Sequence, residues 1–159
     1  MNRIVVELAD PQWTTYAMHF ASAMARNTGG DVVLLQMLPV SNPAALGAGF
    51  EGLPHGAEAY RRVRDYAAIA KDYGVELCVQ RMEYLTRFDA LAQAVETLEA
   101  SVLFAPIAET RFAFWRRLMT WGLARRLRNC RLYTLAQTDA ETDEPTQAIA
   151  LAMPKHARA

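Results

Sequence analysis

Seven arginines and a single acid stand between Glu109 and Arg131. Arg111, Arg116 and Arg117 gather at the start of the helix expected there. Guanidinium groups pair fork-wise with carboxylates and phosphates and stack on aromatic rings. Backbone amides and the dipole at a helix start favour the same anions. The chemistry this cluster offers is therefore capture of an anion by side chains. Little else is spaced for chemistry. General acid–base work needs carboxylates held together in a pocket, and close carboxylates occur only in the stretch 138–144 and at scattered helix positions. There is no Gly-x-Ser-x-Gly elbow, no His/Asp/Glu cluster at metal-ligand spacing and no Cys–His pair near a recognisable loop. Cys78 and Cys130 are far apart and match no metal or redox spacing, which reads as buried free thiols in a reducing compartment. His19, alone on a helix, reads as a surface or half-buried residue and not as a ligand. These residues predict neither an enzyme nor a cofactor or metal site.

The elements that must position the arginines alternate regularly. Ile4-Val5-Val6-Glu7-Leu8 is a short β-branched strand. Asp10-Pro11 follows as N-cap and first helical residue. Trp13, Ala17, Phe20, Ala21 and Met24 form the apolar stripe of that helix, and Asn27-Thr28-Gly29-Gly30 ends it. Val32–Leu38 is nearly all apolar and fits a central strand covered on both faces. Pro39–Gly56 is a long loop by composition, suited to a lid, a partner-binding loop or a poorly ordered insertion. Its Gly47-Ala48-Gly49-Phe50-Glu51-Gly52 lacks the Lys-Ser/Thr that completes a phosphate loop. Ala57–Tyr73 is a helix with Tyr60, Val63, Ala67 and Ala70 inward. Val75, Leu77 and Val79 alternate with polar residues, as on an edge strand. Thr86-Arg87-Phe88-Asp89 resembles a capping-box start; Phe88, Leu91, Ala92, Val95 and Leu98 form the apolar face behind it. Val102–Ile107 is again apolar throughout, then come the arginine-rich helix and a last strand in Arg131–Ala136. The βαβαβαβαβ order predicts an α/β fold: an open parallel sheet with right-handed crossovers and helices on both faces. In such sheets ligands bind beyond the carboxyl ends of the strands, which places the loop after Ile107 at the functional edge.

The 159 residues, 52% of them hydrophobic, suit one domain. We divide the chain into an α/β domain over 1–137 and, over 138–159, an acidic linker followed by a weakly amphipathic stretch, Ala148–Met153, that is mobile or docks on a partner. The formal net charge of zero provides no global field towards nucleic acid or anionic membranes, and no nucleic-acid recognition motif is present. The N-terminus has no signal pattern and no apolar run is long enough to span a bilayer, so the expected location is the cytoplasm.

The order and lengths of these elements, Ile4–Asp10, the second strand leading into a long loop, and Ala100–Pro106 followed by helix and strand resemble the universal stress protein family over about residues 3–136. Phe114-Trp115-Arg116-Arg117-Leu118-Met119, with Ala124-Arg125-Arg126-Leu127 after it, is similar to the helix start of its UspA-like branch. The resemblance implies a five-stranded sheet in the order 3-2-1-4-5, an adenine-nucleotide-hydrolase-like arrangement. It also implies a homodimer joined through the last strand, here Leu132, Tyr133, Thr134 and Leu135. A second branch of the family binds ATP through a glycine-rich loop after the fourth strand. Here Pro106 and Glu109 stand where its first two glycines would be, and neither Met119-Thr120 nor Trp121-Gly122 completes the pattern. Proline offers no N–H, and Glu109 would set negative charge beside phosphate. Asp10 lies one residue from the family's first-strand acid; with Arg111, Arg116 and Arg117 it makes up the candidate anion site.

Three readings of the arginine-aromatic helix stay open: an anion site at its start; a surface, with Phe112, Trp115 and Trp121, for a protein or membrane; and plain packing of Trp115, Leu118, Met119, Gly122 and Leu123 on the sheet with the arginines solvated, which the three-four spacing fits best. The expectation is a non-enzymatic, dimeric, cytoplasmic stress-response or regulatory protein that does not hold ATP by the family loop. The alternatives are a sensor of nucleotide or another anion, and a regulatory domain or partner of a membrane transporter, since similar domains occur as cytosolic parts of transporters.

Overall fold

Short runs of valine, isoleucine and leucine that cannot be solvated on either face come together as the middle of one parallel sheet. The structure is a computed structural model that describes residues 2–40, 57–107, 113–127 and 129–135, apart from the side chains of residues 57–59, 113, 115 and 116. The strands are β1 (Arg3–Glu7), β2 (Asp31–Pro39), β3 (Leu77–Tyr84), β4 (Ala100–Phe104) and β5 (Arg131–Tyr133). The helices between them are α1 (Pro11–Thr28), α2 (Ala57–Asp72), α3 (Arg87–Thr97) and α4 (Ala113–Arg126). The order is β3-β2-β1-β4-β5, with every pairing parallel. This is the order the resemblance implies, and the alternating strand stands at an edge as its pattern predicts. The loop from 41 to 56, the residues from 108 to 112 and everything beyond Leu135 lie outside the described residues, so the readings made of them rest on sequence alone.

Two apolar layers clamp the sheet. Ile4, Val6, Val32, Leu34 and Phe104 pack under α1 and α2 with Trp13, Met18 and Tyr66. Val5, Val33, Leu35 and Leu103 pack under α3 and α4 with Leu91, Val95, Leu123 and Leu127. Alternate residues of β1 thus point to opposite layers, the period of two that a strand imposes. β2 and β3 outrun their neighbours. β1 pairs with β2 only as far as Glu7 and Leu35, whereas β2 continues beside β3 from Gln36–Arg81 to Pro39–Tyr84. The carboxyl edge of the sheet is therefore stepped, high on the β2/β3 side and low over β1 and β4.

The helix boundaries follow the sequence closely, but several helix faces do not. On α1 the buried side is Trp13, Thr14, Ala17, Met18, Ala21, Ser22 and Ala25, and Phe20 is exposed. Counting apolar residues hides the small and hydroxylated ones that let a helix sit close to a sheet. Thr14, fully buried, accepts from the Ala9 amide at 3.0 Å and donates to the Asp10 carbonyl at 2.8 Å, so its hydroxyl is satisfied. On α2, Tyr60 and Ala67 face solvent while Tyr66 and Ala70 are buried; the stripe is displaced because the helix meets α1 as well as the sheet. On α4 Leu123 is buried but Leu118 is exposed. The helix carries apolar residues on opposite sides, and its spacing could not say which side the sheet would take. Cys130 is buried as expected, whereas Cys78 is exposed, because it lies on the poorly covered edge strand β3. Thr86 precedes α3 without capping it through its side chain.

The turn from α1 into β2 needs both of its glycines. Gly29 has a left-handed backbone, φ 64°, and its amide returns to the Ala25 carbonyl. Gly30 passes so close to the start of β1 that a Cβ there would come within 1.9 Å of the Asn2 carbonyl oxygen.

Candidate functional site

In the observed strand order the chain leaves β1 towards β2 on one side and returns to β4 on the other. The crevice beyond the ends of β1 and β4 is therefore the topological switch point, the place where sheets of this kind take ligands. Glu7 ends β1 there and is 4% exposed. A carboxylate so buried needs a partner. α3 supplies it, because β3 delivers the chain to the same edge and Arg87 is the first residue of the returning helix. The guanidinium forks onto the carboxylate: Nε donates to Glu7 Oε1 at 2.7 Å and Nη2 to Oε2 at 2.6 Å. Nη2 also donates to the Pro106 carbonyl, 2.6 Å away, just past β4.

One side chain thus joins β1, α3 and the chain leaving β4 across the crevice. Burial pushes the Glu7 carboxyl above its ordinary range, and the hydrogen bonds and charge of Arg87 pull it back only in part. Both carboxylate oxygens are already engaged, so Glu7 is badly placed to accept a substrate proton. Arg87 keeps 28% of its side chain exposed and lies beside the Phe88 ring, 6.0 Å from its centroid.

The residues named from the sequence fall as follows. Asp10 is at the same edge, where its Oδ1 accepts from the Gln12 amide at 2.9 Å and the Trp13 amide at 3.2 Å as the cap of α1. Arg117 is exposed on α4. Arg111 lies outside the described residues, as does the side chain of Arg116, so the anion-site reading rests on sequence alone. Leu132 is half-buried against the α3/α4 layer, and Tyr133 and Leu135 against the α1/α2 layer, with Thr134 also half-buried. Tyr133 stacks on Phe104 with centroids 5.2 Å apart. The Trp13 indole donates to the Leu135 carbonyl at 3.3 Å. Among the described residues no group of His, Cys, Asp and Glu is placed to hold a metal ion, and no helix is long and apolar enough to cross a membrane.

Sequence reasoning missed both Glu7 and Arg87. The available signal was the acid itself: an ionisable residue closing a β-branched run on a central strand is almost never buried unpaired.

No family model and no curated protein sequence matches this chain. Solved structures do. A universal stress protein in complex with cAMP superposes with a TM-score of 0.62 at 16% identity, covering 86% of this chain and 98% of that one. The chain has the universal stress protein fold. A member of that family from Burkholderia pseudomallei gives 0.56 at 19% identity, over 84% of this chain and 94% of that one. The universal stress protein of Archaeoglobus fulgidus in complex with dAMP gives 0.54 at 17%, over 84% and 97%. The coverage extends over nearly the whole length of each universal stress protein, so the likeness is to the complete domain.

Proposed function

We propose that this chain is a non-enzymatic regulatory or stress-response protein of the UspA-like kind, dimeric, which does not hold ATP through a glycine-rich loop. The observation that carries the reading is the Arg87 bridge. At the switch point the protein's own guanidinium lies between the Glu7 carboxylate and the Pro106 carbonyl. A phosphate cradle of the glycine type needs free backbone amides facing the ligand, and Pro106, which stands where the resemblance expects the first glycine, has none. The outer edge of β5, with Leu132 to Leu135 along it, is the surface by which two copies would join.

A second reading is favoured by one observation: two of the structural neighbours were solved with adenine nucleotides, cAMP and dAMP. On that reading the chain is a sensor whose ligand is held by side chains, Arg111 or Arg116 among them. Thermal unfolding with and without millimolar ATP, AMP, cAMP and cyclic dinucleotides tells the two apart, since a ligand bound only by the folded state raises its stability by mass action. No shift with any nucleotide is expected. A saturable rise with ATP would overturn the first reading and establish a side-chain pocket.

A further inference from the structure

The outer side of α4 is built the wrong way round for a solvated helix. Its inner side, Leu123 with Leu127 just beyond the helix, is fully buried. Opposite stand Phe114, Leu118 and Trp121, exposed by 70%, 42% and 50%. With Arg125 they fall in one row within an arc of about 60°, directly away from the sheet. The Arg125 guanidinium lies 5.1 Å from the centroid of the Trp121 ring, and Arg117 is exposed beside the row. The 14-residue helix contains four arginines and no acid. Its one ion pair among the described residues, Arg126 to Asp89 at 3.1 Å, lies on the flank towards α3. Arg117 and Arg125 have no carboxylate partner among the described residues.

We infer that this face of α4 docks on an anionic phospholipid bilayer. Charge complementarity selects the occupant. A row of tryptophan, phenylalanine and leucine framed by arginines that have no carboxylate partner among the described residues is the composition that settles at a lipid interface, with rings at the headgroup level and guanidinium groups among phosphates. The zero net charge of the whole chain does not oppose this, since attraction to a surface is felt only within about 10 Å at ordinary salt. A second copy fits badly, because an antiparallel pair of such helices would set the arginines of one against those of the other. A folded protein partner fits less well than a plane. The exposed apolar side chains among the described residues of this helix are Phe114, Leu118 and Trp121 in a single row, whereas a stable protein interface takes roughly 800 Å² and 20–30 residues from each partner.

The test is co-sedimentation of the full chain with vesicles of phosphatidylcholine alone and of phosphatidylcholine mixed with phosphatidylglycerol. Binding to the mixed vesicles only is expected, falling as salt is raised. Arg117→Glu with Arg125→Glu should lower the partition coefficient at least about tenfold. Leu118→Ser with Trp121→Ser should abolish binding while leaving the unfolding midpoint in place. Quenching of the wild-type tryptophan emission by brominated lipid gives a reading that needs no variant. Four results would overturn the inference. They are no binding to either vesicle, equal binding to both, unchanged binding by both double variants, or binding that appears only after Asp139, Glu141, Asp143 and Glu144 are neutralised. The last would make the chain's own acidic segment the occupant. Wild-type protein that binds neither vesicle, together with a Leu118→Ser/Trp121→Ser variant that sediments as a smaller species, would point to a second copy.

Discussion

Arg87 is the residue on which the switch point depends. Arg87→Ala leaves Glu7 buried without its counter-charge, and loss of one partner of such a pair costs about 3 kcal/mol. The pH dependence has a definite sign. Burial already raises the Glu7 carboxyl above its ordinary value of 4.5, and without Arg87 nothing opposes that. The folded variant then holds the Glu7 proton more tightly than the unfolded chain, so its stability relative to wild type rises as pH falls from neutral through the raised range and levels off below about 4.5. Urea unfolding at pH 7 and pH 5 checks this: the deficit of Arg87→Ala should be smaller at pH 5, and a constant deficit would mean that Glu7 is not the group responsible. Glu7→Gln keeps the shape and removes the charge. It should cost about 1 kcal/mol and show no such recovery, since Arg87 can reach water. At this scale the sequence was legible where the partner is near in the chain. Asp10 and Pro11 announce a capped helix start because cap and capped amides are neighbours. The pair of Glu7 with Arg87 is silent in sequence because neither residue names its partner.

Between the elements, the turns and helix faces decide what packs. The glycines after α1 show two different constraints. Gly29→Ala meets open space but a left-handed backbone, φ 64°, and should cost about 1 kcal/mol. Gly30→Ala drives a Cβ to 1.9 Å from backbone oxygen of Asn2 and should cost more, about 2–3 kcal/mol, with the start of β1 displaced. Denaturant midpoints of the two variants give the ranking; equal midpoints would contradict the close approach. The strands were legible because continuous and alternating apolar runs differ in kind, and β2, β3 and β4 took the central and edge places those patterns imply. The helix faces were less so. α1 buries Thr14 and Ser22, which no hydrophobic count would select. α4 has apolar residues on both sides, so only the packing of Leu123 and Leu127 against α3 and the sheet shows which side is outer.

For the whole molecule, the strand order follows from the alternation of elements together with the resemblance, while the edge by which two copies would join is nominated by the resemblance alone and is a proposal. β5 is three residues long and, among the described residues, pairs only with β4. We expect Leu132→Arg to weaken a homodimer joined there. Because Leu132 also packs on the α3/α4 layer, the variant's thermal midpoint must be read alongside. Sedimentation velocity at micromolar concentration decides, and an unchanged profile rejects this interface.

The Arg87 bridge also bears on how fast the native state is lost. Glu7 and Arg87 are 80 positions apart, and Arg87 reaches the Pro106 carbonyl only once β4 is in place beside β1. Closing so long a loop costs chain entropy before any contact rewards it, so we expect the bridge to form late, after the rate-limiting step of folding. A late contact slows unfolding without speeding folding. In stopped-flow experiments Arg87→Ala should refold at the wild-type rate and unfold on the order of a hundredfold faster at neutral pH, as about 3 kcal/mol placed wholly on the unfolding barrier requires.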